Sequence, residues 1–192
     1  MDNQKAKNIQ TIQSSITMTI LLVSFSMLFG TLFMGYMVYR VRATAWPPMG
    51  MNDLSLFYPS ISTIVIGLSS LAFYLFEQQI NLKKFSPARL YLLSSLMLGL
   101  GFCFSQFMVW KDLALRGITQ GSGIFGSMIY GFTWIHIAHV AIGVSLIVWL
   151  VIKFKNVSVL NHQDSLRAKN VGMFWHFLGL VWLLMYLILF VF

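Results

Sequence analysis

Charged side chains are scarce in this sequence. They make up 9% of its 192 residues, whereas an ordinary globular domain carries roughly 25%. So few charges cannot cover a water-facing surface, and 58% of the residues are hydrophobic. The composition therefore excludes a soluble globular domain and predicts an integral membrane protein.

Cysteine and acidic residues are also rare. The single Cys103 cannot form an internal disulfide, so cysteine usage gives no information about the compartment. Five acidic residues against thirteen basic ones leave a net charge of +8. The basic residues fall in short gaps between apolar runs, which favours an explanation by membrane topology over nucleic-acid binding.

Five long stretches contain no Asp, Glu, Lys or Arg at all. Each reaches the length of about 20 residues that a helix needs to cross a bilayer. We predict an all-α membrane bundle of five transmembrane helices in residues 16–192, after a polar cytoplasmic segment in residues 1–15. Without a carboxylate relay, a proton pump or ion-coupled transporter acting alone is disfavoured. The stretches are Ile16–Tyr39, Leu54–Phe76, Leu90–Trp110, Ile124–Ile152 and Val171–Phe192.

Lysine and arginine are distributed unequally between the two ends of these stretches. Nine lie on the side of the N-terminus and four on the opposite side. The positive-inside rule then predicts a cytoplasmic N-terminus and an external C-terminus. The first apolar run is too long for the hydrophobic region of a signal peptide, so we expect no cleavable one. The nine are Lys5, Lys7, Lys83, Lys84, Arg89, Lys153, Lys155, Arg167 and Lys169; the four are Arg40, Arg42, Lys111 and Arg116.

Small residues recur at helical spacing on three of the stretches. This spacing allows the backbones of membrane helices to approach closely. It serves packing within one bundle and packing against a partner subunit equally well, and both interpretations stay open. The sets are Thr63, Gly67 and Ser70; Ser95 with Gly99; and Ser127 with Gly131. On the last stretch, Trp175, Gly179, Trp182 and Tyr186 form one continuous stripe, which favours packing over a cofactor site.

Three histidines lie within the stretches. His136 and His139 are one turn apart on the fourth, and His176 lies on the fifth behind Trp175. Neutral imidazole is a common ligand of metals and haem, so one interpretation is a membrane haem b protein ligated by these three residues. The other is hydrogen bonding between helices or to lipid headgroups. The residues alone leave both open.

Two segments near the C-terminus resemble a known family. Residues 174–183 read FWHFLGLVWL, similar to the run of aromatic-Trp-His-Phe followed by Val-Trp-Leu in subunit III of the haem–copper oxidases. Residues 135–143 read IHIAHVAIG, similar to that family's His-x-x-His-Val-x-x-Gly. Residues 24–40 read SFSMLFGTLFMGYMVYR and end shortly before AWPP, again as in the family. The resemblance covers all five stretches in order and corresponds to the shorter, five-helix bacterial form.

This resemblance implies an accessory subunit without its own cofactor in the inner membrane of a bacterium. Such a subunit packs beside catalytic subunit I of a cytochrome c or quinol oxidase, near subunit II, and the haem and copper lie in the partner subunits. It holds phospholipids, sustains proton uptake through subunit I and slows inactivation during turnover. The residues that the resemblance assigns to lipid or subunit contact are His136, His139, Trp175, His176, Trp182, Lys153, Lys155 and His162.

Three positions depart from the family pattern. Carboxylates common in the family are replaced here by Phe25, Val109 and Gly179. Any contribution to proton delivery is then expected to be indirect, through lipid packing or the geometry of subunit I. The departures are also compatible with a subunit III-like accessory protein of a nitric oxide reductase.

Overall fold

The computed structural model describes residues 2–44, 55–155 and 161–191, with side chains from residue 9 onward. The described chain folds into five long helices, and a π-helical turn at Leu187–Val191 continues the last. All five are long and apolar enough to cross a membrane, which agrees with the predicted five-span bundle. The helices are α1 (Asp2–Arg42), α2 (Phe57–Asn81), α3 (Phe85–Leu115), α4 (Ile124–Phe154) and α5 (His162–Tyr186).

Most of the helices extend beyond the apolar stretches that predicted them. Helix α1 begins at Asp2, within the polar segment 1–15, and α5 begins at His162, nine residues before the predicted span. The absence of charge marks the part of a helix suited to hydrocarbon, whereas polar residues at its ends can remain helical in the interface. The AWPP segment lies outside the described residues.

Helices α2 to α5 form the packed centre of the bundle. Helix α2 packs most extensively against α3, and α5 contacts α2 and α4. Helix α1 lies outside this group against α5, and the buried side chains among its described residues are Met18, Phe29 and Tyr36. Leu22, Phe25, Leu32 and Phe33 are partly buried against the same core, and most of the other described side chains of α1 are exposed.

Candidate functional site

The aromatic stripe of α5 lies along α2. At three positions along the stripe, a polar atom forms a hydrogen bond with a hydroxyl group of α2. The pairs are Trp175 Nε1 to Ser69 Oγ at 3.1 Å, Trp182 Nε1 to Thr63 Oγ1 at 3.1 Å, and the Tyr186 and Ser60 hydroxyls at 2.8 Å. The prediction that this stripe packs between helices is confirmed.

Trp175 occupies the centre of the bundle and is completely buried. Its indole fits between two positions that lack a side chain, Gly99 on α3 and Gly143 on α4. A Cβ at Gly99 would lie 3.0 Å from the ring, and one at Gly143 would lie 2.9 Å from it. Next to the indole, Ser69 and Ser95 each donate a hydrogen bond to the other's backbone carbonyl, at 2.7 and 3.0 Å, which joins α2 closely to α3.

The predicted close approach does not extend to every small residue. A Cβ at Gly67 or Gly131 would meet no atom within 4 Å, so neither glycine contacts another helix among the described residues. Helical spacing identifies a face of small residues but does not determine what covers it. At these two positions the structure does not support packing within the chain, and the interpretation of packing against a partner subunit stays open.

His136 lies in a layer of aromatic rings and is 1% exposed. Its imidazole centroid lies 6.1 Å from the ring of Phe29, 6.0 Å from Phe102 and 5.7 Å from Trp182. Neither ring nitrogen has a hydrogen-bond partner among the described residues, and the same is true of the buried amide of Gln106. The layer is therefore dominated by packing contacts.

The other two histidines face different neighbours. His139 Nδ1 lies 2.7 Å from the carbonyl oxygen of Ile135 on its own helix, and its ring lies 4.5 Å from that of Phe25. His176 Nδ1 lies 2.5 Å from Ser70 Oγ on α2. No group of three His, Cys, Asp or Glu side chains within 9–44, 55–155 and 161–191 is close enough to hold a metal ion. The geometry thus favours helix packing over joint ligation by the three imidazoles.

Trp175, Trp182 and His136 are buried against helices of their own chain. These side chains cannot touch lipid or another subunit directly unless the bundle opens. The direct contact with lipid or another subunit that the resemblance assigned to these three residues is therefore corrected. Their side chains lie inside the bundle and hold its helices together.

The three departures from the family pattern are filled by apolar groups. Phe25 contacts the ring of His139, and Val109 is 2% exposed. Gly179 packs towards α2, because a Cβ there would lie 3.9 Å from Ile66. None of the three positions therefore carries a group that can titrate.

A cluster of charged groups lies where α4 ends and α5 begins. Lys153 forms an ion pair with Asp164, and Arg167 Nη1 lies 3.5 Å from the same carboxylate. Both cations also approach the face of Trp149, at 5.1 Å for Lys153 Nζ and 5.9 Å for Arg167 Cζ. Two cations against one carboxylate leave a single net positive charge in the cluster.

The other two basic residues that the resemblance assigns to lipid or subunit contact, His162 and Lys155, lie apart from that cluster. His162 Nε2 lies 3.0 Å from Thr11 Oγ1 and joins α5 to α1. Lys155 is exposed at the end of α4. It borders a small apolar pocket near Arg89, whose Nε donates to the carbonyl of Phe154 at 3.0 Å. The predicted lipid or subunit contacts did not include Trp149, Asp164 and Arg167. Helical spacing could have paired Trp149 with Lys153 and Asp164 with Arg167, but not one pair with the other.

A groove runs from the charged cluster into the apolar part of the bundle. It has a volume of about 580 Å³ and lies between α1, α4 and α5. Its walls are almost entirely apolar, and Trp149, Arg167 and Asn170 stand at its charged end. The groove is therefore apolar along its length and has a cationic rim at one end. The apolar walls are formed by Met18, Leu21, Phe25, Ile142, Leu146, Val171 and Phe174.

Comparisons with known proteins agree with this architecture. The family model described as cytochrome c oxidase subunit III matches residues 4–192. The chain is 27% identical to cytochrome c oxidase subunit 3 of Thermostichus vulcanus, covering 90% of this chain and 84% of that protein. It is 30% identical to a probable cytochrome c oxidase subunit 3 of Nocardia farcinica, over 88% and 83% of the two chains.

A further relative has a different organisation. The chain is 25% identical to a heme-copper oxidase subunit I+III of Aeropyrum pernix, covering 82% of this chain and 20% of that longer protein. The match to the family model includes all five helices and both histidine motifs. On this evidence, the chain belongs to the cytochrome c oxidase subunit III family.

Proposed function

We propose that this chain is the accessory subunit III of a bacterial terminal oxidase and packs directly beside catalytic subunit I. Membership in the subunit III family supports this role, and the name of the Aeropyrum pernix relative joins subunits I and III in one protein. The electron donor of the complex is cytochrome c or quinol, subunit II is a further partner, and the haem and copper belong to the partner subunits.

The observation that carries the functional part of the proposal is the groove between α1, α4 and α5. An acyl chain fits this groove, because its hydrocarbon can make dispersion contacts with the apolar side chains of the walls and covers few polar groups. From Ile142 to Trp149 the groove follows α4 for about 10 Å. At its end, Arg167 and Lys153 can attract a lipid phosphate. The groove therefore holds a phospholipid with its headgroup at the cationic rim.

Helix α1 depends on this lipid for its position. It contributes few buried side chains, so an acyl chain in the groove fills space between it and the α4–α5 pair. With apolar groups at Phe25, Val109 and Gly179, the chain acts on proton uptake by subunit I indirectly, through lipid packing and subunit geometry. Loss of the lipid would loosen α1 and shorten the period over which the oxidase remains active.

The proposed orientation places the N-terminus in the cytoplasm. The antiparallel order of the helices brings most basic residues to the end formed by the α2–α3 turn and the α4–α5 connection. Fewer basic residues, among them Lys111 and Arg116, lie at the opposite end. This difference supports a cytoplasmic position for the more basic end.

Filling the groove tests the proposal. We expect Leu146→Trp to occupy the space of the acyl chain, so the purified complex carries less tightly bound phospholipid. Its initial oxidase rate stays unchanged, and its activity then declines several-fold faster over repeated turnovers. Phosphorus analysis and oxygen-consumption traces give the two readouts.

The matched control is Ile152→Trp, on the same helix but outside the groove, where the side chain is exposed. We expect this variant to keep both its lipid and its durability. Equal lipid content and equal lifetime in wild type and Leu146→Trp would contradict the proposed role of the groove.

A further inference from the structure

A second, polar pocket lies between α2 and α5, away from the groove. It has a volume of about 230 Å³, and polar and apolar atoms line it in similar amounts. Glu77 and Asn81 come from the last turns of α2, and Ser165 and Lys169 come from the first turns of α5. Glu77 precedes the end of α2 by about 6 Å along the helix. This depth corresponds to the headgroup region at one end of the bundle.

The side chain of Glu77 lies against the backbone of α5. Gly172 packs against Glu77, and a Cβ at Gly172 would overlap Glu77 Oε1. The same Cβ would lie 2.8 Å from the ring of Phe73. The glycine therefore lets the Glu77 side chain lie close against the backbone of α5.

The pocket contains one charge of each sign. They are the acidic side chain of Glu77 and the basic side chain of Lys169, which both line it. No direct ion pair joins these two side chains. The ion pairs in the described part of the chain involve Asp112 and Asp164 instead. A carboxylate and an ammonium group that face one pocket without direct contact can each receive the opposite charge of a ligand. Asn81 and Ser165 add neutral hydrogen-bonding groups at its border.

We propose that this pocket binds a zwitterionic phospholipid headgroup that carries a primary ammonium group and a phosphate, as in phosphatidylethanolamine. The ligand ammonium donates hydrogen bonds to Glu77, and its phosphate accepts them from Lys169. A purely anionic headgroup would face the Glu77 carboxylate, and a quaternary ammonium could not donate a hydrogen bond to it. The site differs from the groove in its residues and its ligand chemistry, and it does not depend on the identity of the partner subunit.

A lipid titration of the purified complex that contains the full chain tests this site. Native mass spectrometry follows binding of phosphatidylethanolamine, its N-methyl and N,N-dimethyl derivatives, and phosphatidylcholine. We expect the affinity to fall with each added methyl group. Phosphatidylcholine should bind roughly tenfold more weakly than phosphatidylethanolamine, because it has lost a charge-assisted hydrogen bond. Equal binding across the series would overturn the proposal without any variant.

Three variants assign the effect to individual residues. Glu77→Gln is expected to abolish the preference for the primary ammonium, and Lys169→Gln to weaken all four lipids about equally. The control is Lys84→Gln, a lysine at the same end that does not line the pocket, and it should change neither property. A preference that persists in Glu77→Gln would overturn the assignment. If soluble phosphoethanolamine bound and the lipid did not, the claim that the bound headgroup belongs to a lipid would be overturned.

Discussion

Trp175→Ala is expected to lower the free energy of unfolding of the bundle by about 3–5 kcal/mol, the range for removing a large buried aromatic side chain. The indole contacts α2, α3 and α4 at once, through Ser69, Gly99 and Gly143. Because both glycines lack side chains, neither position can fill the cavity that the substitution leaves. In a bilayer such packing contacts, rather than the hydrophobic effect, hold helices together.

Reversible unfolding in mixed micelles measures this loss. The control is Trp134→Ala, because Trp134 is half exposed and stacks on Trp110 with the ring centroids 4.6 Å apart. Its loss should cost no more than about 1.5 kcal/mol, the range for an aromatic pair. Similar destabilisation by the two substitutions would show that Trp175 does not hold the centre of the bundle.

The second large effect is expected at Gly143. In Gly143→Val the new side chain would overlap the ring of Trp175 and a methyl group of Leu178, since even a Cβ would lie 2.9 and 3.0 Å from them. Overpacking of this kind typically costs about 1–3 kcal/mol, and a buried indole between two helices leaves little room for relaxation. We expect a lower unfolding free energy and a smaller yield of the assembled chain.

Gly131 offers a matched control on the same helix. A Cβ there would meet no atom within 4 Å, so Gly131→Val should leave the stability of the isolated chain nearly unchanged. Size-exclusion chromatography and the unfolding measurement compare the two variants directly. If Gly131→Val were as destabilising as Gly143→Val, the destabilisation would come from the loss of glycine and not from contact with Trp175.

Much of the fold could be predicted from the sequence, because hydrocarbon imposes a simple rule on composition. Stretches without charged residues gave the number and order of the helices. The stripe from Trp175 to Tyr186 was also predicted to pack, since helical periodicity places its members on one face. The histidine motifs supported the resemblance to the subunit III family, which the match over residues 4–192 confirmed.

The features that the sequence did not reveal depend on which faces meet. Periodicity could not distinguish Gly143, which accommodates an indole, from Gly131, where a Cβ would meet no atom of the described residues within 4 Å. It could not show that His136 is enclosed by rings from three other helices. The pocket at Glu77 was missed because this residue follows the apolar stretch by one position, where a charge is ordinarily assigned to the solvent.

The charged cluster illustrates the same limit. The resemblance assigned Lys153 to lipid or subunit contact, and the structure pairs it with Asp164, eleven positions later in the chain. Only the return of α5 beside α4 brings these groups together with Arg167 around Trp149. The lipid contact proposed for this end therefore depends on the net charge of the cluster and on the adjoining groove.

The central claim is that this chain is a cofactor-free accessory subunit of an oxidase, and gentle purification through a tag on the chain tests it most directly. In mild detergent we predict equimolar recovery with a large subunit that carries two haems and a copper, while the separated chain carries no haem. Recovery of the chain alone in several mild detergents would contradict this claim, as would a large partner without copper. So would haem on the isolated chain whose Soret band disappears in His176→Ala.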